Sequence, residues 1–221
     1  MHCAPSLVLL AAVLAVAAHE TPVPVDQEPH HRMLLRNDYV EVMRVTLPPG
    51  ESTGLHTHSH DGVAVRLAPA TITMDVPGEG LRGPLEMHPG DASVQSYARQ
   101  PFTHRVNNVG PTPFDVLDVE LLKRPEGPAV EALATPAAEN DGARVYSWRL
   151  APGSATPQHV HRRPYLIVAA TPLQLRMQAP DGGAFEHAVA AGDVHWVDVP
   201  VTHVLVNRGD AAGVMVEIEL K

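Results

Sequence analysis

The stretch Gly50-Glu51-Ser52-Thr53-Gly54-Leu55-His56-Thr57-His58 decides the fold. A second stretch, Gly153-Ser154-Ala155-Thr156-Pro157-Gln158-His159-Val160-His161, follows it 103 residues later. Both have the pattern Gly-x5-His-x-His. On a β-strand, residues two positions apart lie on the same face, roughly 6.5 Å apart at the backbone. The two imidazoles of each stretch can therefore converge on one metal ion.

A similar segment precedes each stretch. Apolar residues alternate between Asn37 and Gly50, and the same arrangement returns without a gap between Asn140 and Gly153. Such alternation predicts a strand with one apolar face that ends at a Pro-Gly turn. All these pairs share the offset of 103 residues that relates the two His-x-His pairs, and this agreement indicates an internal duplication.

The pattern Pro-x-Thr-His-x3-Asn-x-Gly is also present twice, and it contains His104 and His203. Each half then ends in a segment that alternates apolar and acidic residues. The apolar positions are Leu117, Val119 and Leu121 in one half and Val216, Ile218 and Leu220 in the other. The acidic positions are Asp118, Glu120, Glu217 and Glu219. We expect two half-buried final strands whose acids face away from the apolar side.

The composition favours two small all-β domains. A chain of 221 residues with 44% apolar residues can bury two cores, and its 22 prolines suit short strands joined by turns. The formal net charge of −9 argues against nucleic acid or an anionic membrane surface as a partner.

Residues 1–18 have the pattern of a signal peptide. They carry no charged side chain, and a short apolar run is followed by small residues from Ala15 to Ala18. An uncleaved anchor is the alternative, but the run is shorter than the ~20 residues that span a bilayer. We therefore expect a periplasmic or secreted protein without a membrane partner after cleavage. Cleavage would also remove Cys3, the single cysteine.

Together, Gly-x5-His-x-His and the later Pro-x2-His-x3-Asn resemble the two signature motifs of the cupin superfamily. The resemblance covers nearly all of the mature chain and implies a bicupin, in which two tandem jelly-roll barrels each hold a site in the mouth. It divides the chain into a lead-in (19–36), a first cupin domain (37–122), a linker (123–139) and a second cupin domain (140–221).

The resemblance also implies two metal centres. Carried over by position, the ligands are His56, His58 and His104 in one domain and His159, His161 and His203 in the other. The glutamate that is the usual fourth ligand is missing from both motifs. Three imidazoles suit Fe, Mn, Ni, Zn or Cu and leave coordination positions open. We expect the first domain to be the more active one.

Two further residues are candidates for catalytic roles. His60 follows the first His-x-His on the same strand parity and is a candidate fourth ligand or proton shuttle, although a turn is the alternative. Tyr165 stands near the position of the missing glutamate and is a candidate phenol donor to substrate, with packing as the alternative. His30 and His31 are adjacent, so at most one can face a site, and we interpret both as surface residues.

The sequence leaves two functions open. One is a three-histidine dioxygenase of the Fe(II) type that acts on a small anionic or chelating substrate. The other is a non-catalytic exported protein that binds a small ligand or a metal. The family resemblance also leaves a homodimer open.

Overall fold

The computed structural model describes residues 20–127, 130–197 and 200–221. Ten strands form the first half of the chain. They are β1 (Val23–Pro24), β2 (His31–Arg36), β3 (Val40–Leu47), β4 (His56–His58), β5 (Gly62–Arg66), β6 (Ala70–Val76), β7 (Gly80–Met87), β8 (Ala92–Gln95), β9 (Phe102–Asn108) and β10 (Phe114–Leu121). A short 3-10 turn, Val25–Gln27, follows β1.

Nine strands form the second half. They are β11 (Ala138–Glu139), β12 (Ala143–Leu150), β13 (His159–His161), β14 (Tyr165–Ala169), β15 (Leu173–Gln178), β16 (Ala184–Val189), β17 (Val194–Val197), β18 (Val201–Asn207) and β19 (Gly213–Leu220). The strands predicted before each His-x-His stretch are β3 and β12, so these predictions are confirmed.

Each half is a two-sheet barrel. The first consists of sheets β1-β4-β9-β6-β7 and β2-β3-β10-β5-β8, and the second of β11-β12-β19-β14-β17 and β13-β18-β15-β16. The pairing is antiparallel throughout, except for β1 with β4. This arrangement confirms the predicted all-β class with two tandem jelly-roll barrels.

The segment predicted as a lead-in contributes two strands to the first barrel. Val23 pairs with His56 in a parallel bridge, and β2 pairs with β3 from His31 to Arg36. The segment therefore adds one edge strand to each of the two sheets of the first barrel.

The two barrels pack against each other through a shared apolar core. Strands β3, β5 and β10 contribute one side of this core, and β12, β14 and β19 contribute the other. Val119 and Ile218 are among its fully buried members. Sheet-on-sheet packing of this kind buries the outward faces of both central strands, β10 and β19.

The predicted half-burial of the final strands is wrong. The residues that face the interface between the barrels include Leu117, Val119, Val216, Ile218 and Leu220, whereas the acids Asp118, Glu120, Glu217 and Glu219 face the barrel interiors. Glu120, Glu217 and Glu219 are each 1% exposed or less, and Asp118 is 9% exposed. The alternation of apolar and acidic residues on these strands therefore reflects two buried environments, the interface and the barrel interior. It does not reflect a core face and a solvent face.

The predicted signal peptide, residues 1–18, lies outside the described residues. Within the described ranges, no helix has the length and apolarity that crossing a bilayer requires.

Glycine at position 90 is predicted to be required at the interface. A Cβ there would lie 2.5 Å from Val214 Cγ1, and a Cβ at Gly50, which has a similar φ, would meet nothing within 4 Å. Gly90→Ala should therefore lower the free energy of unfolding by about 1–3 kcal/mol more than Gly50→Ala, which controls for the positive φ. Chemical denaturation measures both. Val214→Ala should restore part of the loss, and equal effects of the two glycine substitutions would contradict the steric argument.

Candidate metal centres

The first centre forms where β4 pairs with β9. His56 lies opposite His104 in the register, so the imidazoles of both strands point into the same barrel. The Nε2 atoms of His56 and His104 are 2.9 Å apart, and those of His58 and His104 are 3.3 Å apart. The structure thus brings together the three histidines predicted for the first domain.

The second centre has the same construction. His159 lies opposite His203 in the pairing of β13 with β18, and their Nε2 atoms are 2.7 Å apart. His161 is fully buried beside them. The three histidines predicted for the second domain are therefore also together.

The outer nitrogens of the histidines fix the tautomers. Nδ1 of His56 lies 2.9 Å from the carbonyl oxygen of Gly54, and Nδ1 of His159 lies 2.9 Å from that of Pro157. A carbonyl can only accept, so each Nδ1 carries the proton and each Nε2 presents its lone pair to the barrel interior. Metal-binding histidines have this arrangement in general.

Buried carboxylates hold the middle histidines. His58 Nδ1 donates to Glu120 Oε1 at 2.7 Å, and His161 Nδ1 donates to Glu219 Oε2 at 3.1 Å. The two glutamates occupy matching positions on β10 and β19. Each barrel thus has a carboxylate that orients one imidazole of its centre and raises its basicity.

Glu217 adds a fourth donor to the second centre. Its Oε1 lies 3.0 Å from His203 Nε2 and 3.2 Å from His161 Nε2, and its Oε2 lies 3.2 Å from His159 Nε2. The indole Nε1 of Trp148 donates to Oε2 at 2.6 Å and fixes the carboxylate. One donor atom from each of these four residues lies within 4.8 Å of all the others. The carboxylate that the motif lacks is therefore present, supplied by the last strand.

The matching position in the first barrel is Asp118, which is one methylene shorter. Its Oδ2 lies 3.7 Å from His58 Nδ1 and has no hydrogen-bond partner among the described residues. Burial raises the pKa of Asp118. The first centre thus has a nearby carboxyl group on the outer side of His58, where Glu120 also lies.

The donor sets fit a divalent transition metal. Two ligands bonded at ~2.1 Å lie about 3.0 Å apart in octahedral geometry and about 3.4 Å apart in tetrahedral geometry. The Nε2 separations of 2.9 Å and 3.3 Å in the first barrel fall near these values. In the second barrel, Nε2 of His161 is buried and makes no hydrogen bond with acceptable geometry, as expected of a ligand atom.

Electrostatics keep several of these histidines neutral. Burial and the neighbouring histidines lower the pKa of His56 to about 3 and that of His104 to about 2. Burial would also lower the pKa of His58, but the bond to Glu120 outweighs it and raises that pKa. The pKa of Glu217 is well below its usual range, because its close contacts with three histidines outweigh its burial. Neutral imidazole and ionised carboxylate are the forms that bind metal.

His31 also reaches the first centre. Its ring centroid is 4.7 Å from that of His56, and it forms a potential metal-binding group with His56 and His58. Nδ1 of His31 donates to the buried Glu28 at 2.6 Å, and Gly54 N donates to the same carboxylate. The prediction that His31 is a surface residue is therefore wrong, whereas the side chain of His30 is 34% exposed. His30 precedes β2, and its Nδ1 lies 2.8 Å from Oε1 of the same Glu28.

His60 lies outside the first triad. Its Nδ1 is 3.1 Å from Glu120 Oε2, and its side chain is 49% exposed. Glu120 therefore bridges His60 and His58. This geometry suits a route for protons between solvent and the centre better than it suits direct ligation.

Tyr165 lies against the second centre. Its ring stacks on His161 with centroids 3.7 Å apart, and burial raises the pKa of its hydroxyl. The hydroxyl has no hydrogen-bond partner among the described residues. By the register with the final strands, the matching position in the first barrel is Gly62.

The first barrel contains a cavity of about 350 Å³. It is lined by the three histidines of the centre, by Gly62 and Ala64, and by apolar side chains that include Met74 and Phe114. At the offset of 103 residues, the small wall residues Val45, Gly62 and Ala64 correspond to Trp148, Tyr165 and Ile167. Large side chains in the second barrel thus stand where the first barrel leaves space.

No protein-family model and no curated protein matches the sequence. Among solved structures, AerE from Microcystis aeruginosa is 12% identical, with 91% of this chain aligned to 98% of that chain and a TM-score of 0.61. Salicylate 1,2-dioxygenase from Pseudoaminobacter salicylatoxidans is 12% identical, with coverages of 90% and 76% and a TM-score of 0.55. Oxalate decarboxylase from Bacillus subtilis is 17% identical, with coverages of 82% and 68% and a TM-score of 0.52.

A single cupin domain from Bordetella pertussis is 31% identical, with 38% of this chain aligned to 85% of that chain and a TM-score of 0.35. The three longer matches are far less identical, so their likeness concerns the fold. The two barrels each hold a histidine group that could bind a metal ion. The chain has the jelly-roll fold of the cupin superfamily, and its two tandem barrels give it the architecture of a bicupin.

Sequence reasoning missed the carboxylates of the centres. The signal was present, because four acids alternate with the apolar residues of β10 and β19. We interpreted these acids as solvent-facing, although their matching places in both halves also fitted a buried role. His31 was missed because nothing in the sequence shows that β2 lies beside the barrel mouth.

Replacement of Glu217 is predicted to remove one metal site. Glu217→Gln eliminates the anionic donor and should lower the bound transition metal by about one equivalent per chain, relative to a wild type that fills both centres. Asp118→Asn, at the matching position, should leave the metal content unchanged. Elemental analysis after dialysis measures both. A Glu217→Gln variant with full metal content would show that this carboxylate is not a ligand.

Proposed function

We propose that the protein is an exported, metal-dependent bicupin that acts as a dioxygenase on a small anionic or chelating substrate in its first barrel. The observation that supports this proposal most is the cavity of about 350 Å³, because His56, His58 and His104 line it. Cavities of this size accommodate small organic ligands.

The first barrel combines the requirements of a reaction chamber. Three histidine ligands would leave positions open on a metal, and a divalent ion there would keep a net positive charge within the ligand set. When bound, such a metal supplies a Lewis acid with positions open to substrate, and iron adds redox chemistry with dioxygen. The chain itself orients the histidines through Gly54 and Glu120 and excludes water with apolar walls.

His60 and Glu120 are suited to move protons. His60 is half exposed, and Glu120 joins it to His58 through hydrogen bonds. We propose His60 as a proton shuttle rather than a ligand. Tyr165 belongs to the other barrel and acts there by packing on His161.

The second barrel is proposed to hold a structural metal. Glu217 neutralises part of the charge of a bound ion and completes four protein donors, which is typical of closed structural sites. Trp148 and Tyr165 cover this centre. We therefore still propose that the first domain is the more active one, although the second domain has the more complete set of metal donors.

The solved structures support the chemical class without defining it. Salicylate 1,2-dioxygenase, whose structure was determined with gentisate, has a related fold, and so has oxalate decarboxylase, for which Mn(II) centres are described. Iron and manganese are therefore the first metals to test, followed by nickel, zinc and copper. Export, internal duplication and a homodimer remain parts of the proposal.

Oxygen consumption by the metal-loaded protein tests the function. We expect uptake with thiol or diketone substrates, and we expect it to be lost in His104→Ala and retained, at least in part, in His203→Ala. Uptake that is absent with every metal, while small ligands still bind, would favour the non-catalytic binding protein. Uptake lost only in His203→Ala would place the reaction in the second barrel.

Filling the cavity is predicted to abolish activity without removing the metal. Ala64→Ile introduces the residue found at the matching position in the second barrel and narrows the chamber beside Gly62. Oxygen uptake should fall at least tenfold, while elemental analysis finds the metal content of the wild type. Thr71→Ile, on a strand of the same barrel but outside the cavity lining, is the control. Full activity of Ala64→Ile would contradict the assignment of the chamber.

A further inference from the structure

The cavity of the first barrel contains a cation, Arg66, that the proposed metal chemistry does not use and that forms no ion pair among the described residues. Arg66 ends β5 and lines the cavity together with the histidine centre. Strand parity places it on the same face as Gly62 and Ala64, because the three are two residues apart. At the offset of 103 residues the second barrel has Ala169, so the cation is specific to the first barrel.

The guanidinium is held in place by neutral groups. Nη1 donates to the carbonyl oxygen of Ala64 at 2.9 Å and to Ser93 Oγ at 2.7 Å. Ser93 Oγ in turn accepts from Gln95 Nε2 at 2.8 Å. These bonds direct the guanidinium back along the strand toward the histidine centre and fix its position.

No carboxylate neutralises this cation among the described residues. No Asp or Glu oxygen within the described ranges lies within 4.0 Å of its nitrogens, and Asp91 acts on it only from a greater distance. Arg66 is partly buried, and this burial lowers the pKa of its guanidinium. An enclosed guanidinium without an ion pair favours an anion that approaches through the cavity.

The distance between the Arg66 guanidinium and the histidine centre limits the length of the ligand. Gly62 pairs with Glu120, which holds His58, so this level of the barrel is that of the centre. The guanidinium bonds at the level of Ala64, two residues away, which corresponds to roughly 6.5 Å along the strand. Apolar side chains, including Ile72, Val106 and Val116, line the same cavity.

We propose that Arg66 binds a carboxylate of the substrate, so that the substrate class is a short-chain acid with a second anionic or chelating group at its other end. The first group would lie at the guanidinium, the second at the histidine centre, and the carbon chain between them against the apolar wall. This inference rests on the proposed function for the second group only. The interaction of Arg66 with a carboxylate does not require the metal.

Isothermal titration of the full-length, metal-loaded protein tests the proposal with three six-carbon probes. The probes are adipate, with two carboxylates, hexanoate, with one, and hexan-1-ol, with none. We expect the affinity to fall in that order in the wild type. Arg66→Gln should weaken adipate binding by about 10- to 100-fold, because it removes a charge-assisted bidentate contact.

Arg82→Gln is the matched control. Arg82 also lines the cavity, but it is paired with Glu79. Its replacement should leave the order and strength of binding unchanged. A wild type that binds the three probes equally, or an Arg66→Gln variant that binds adipate as tightly as the wild type, would overturn the proposal. The comparison of the three probes on the wild type still tests the proposal if the Arg66→Gln variant does not fold.

The same titrations separate this inference from the proposed function. Hexanoate binding that persists in metal-depleted wild type and is lost in Arg66→Gln supports the arginine site even if no metal-dependent activity exists. Oxygen uptake with a carboxylate substrate whose KM is unaffected by Arg66→Gln would support the metal function and overturn the arginine site.

Discussion

The burial of carboxylates on the two central strands constrains the rest of the structure. An ionised carboxylate without compensating partners is strongly disfavoured in an apolar interior. Glu120, Glu217 and Glu219 are buried because histidines from the facing sheet meet them at 2.7–3.2 Å. The histidines are in turn oriented by these acids, so neither set is stable in its place without the other. A bound cation would complete this balance of charge.

The fold was largely predictable from the sequence. Periodicity identified β3 and β12, and the two motifs placed six histidines that the structure gathers into two groups of three. Glu217 could not be predicted as a donor, because alternation on a strand does not show whether the polar face meets solvent or a polar interior. His31 and Arg66 depend on contacts between segments that are distant in sequence, which no local pattern encodes.

The two halves differ in the volume of their barrel interiors more than in the path of their backbones. Both barrels hold their first histidine through a carbonyl oxygen two residues earlier and their second through a glutamate on the last strand. What differs is the wall: Val45, Gly62 and Ala64 on one side, and Trp148, Tyr165 and Ile167 on the other. A few side chains thus determine that the first barrel has an open cavity and that the second barrel has a covered centre.

The shared core between the barrels also protects the register of both centres. From Leu117 to Leu121 and from Val216 to Leu220, residues face the interface and a histidine centre in alternation. A slip by one residue would drive four carboxylates into the apolar interface and turn valine and isoleucine toward the histidines. The apolar interface therefore favours the strand register that also assembles both centres, because any other register would bury unpaired carboxylates between the barrels.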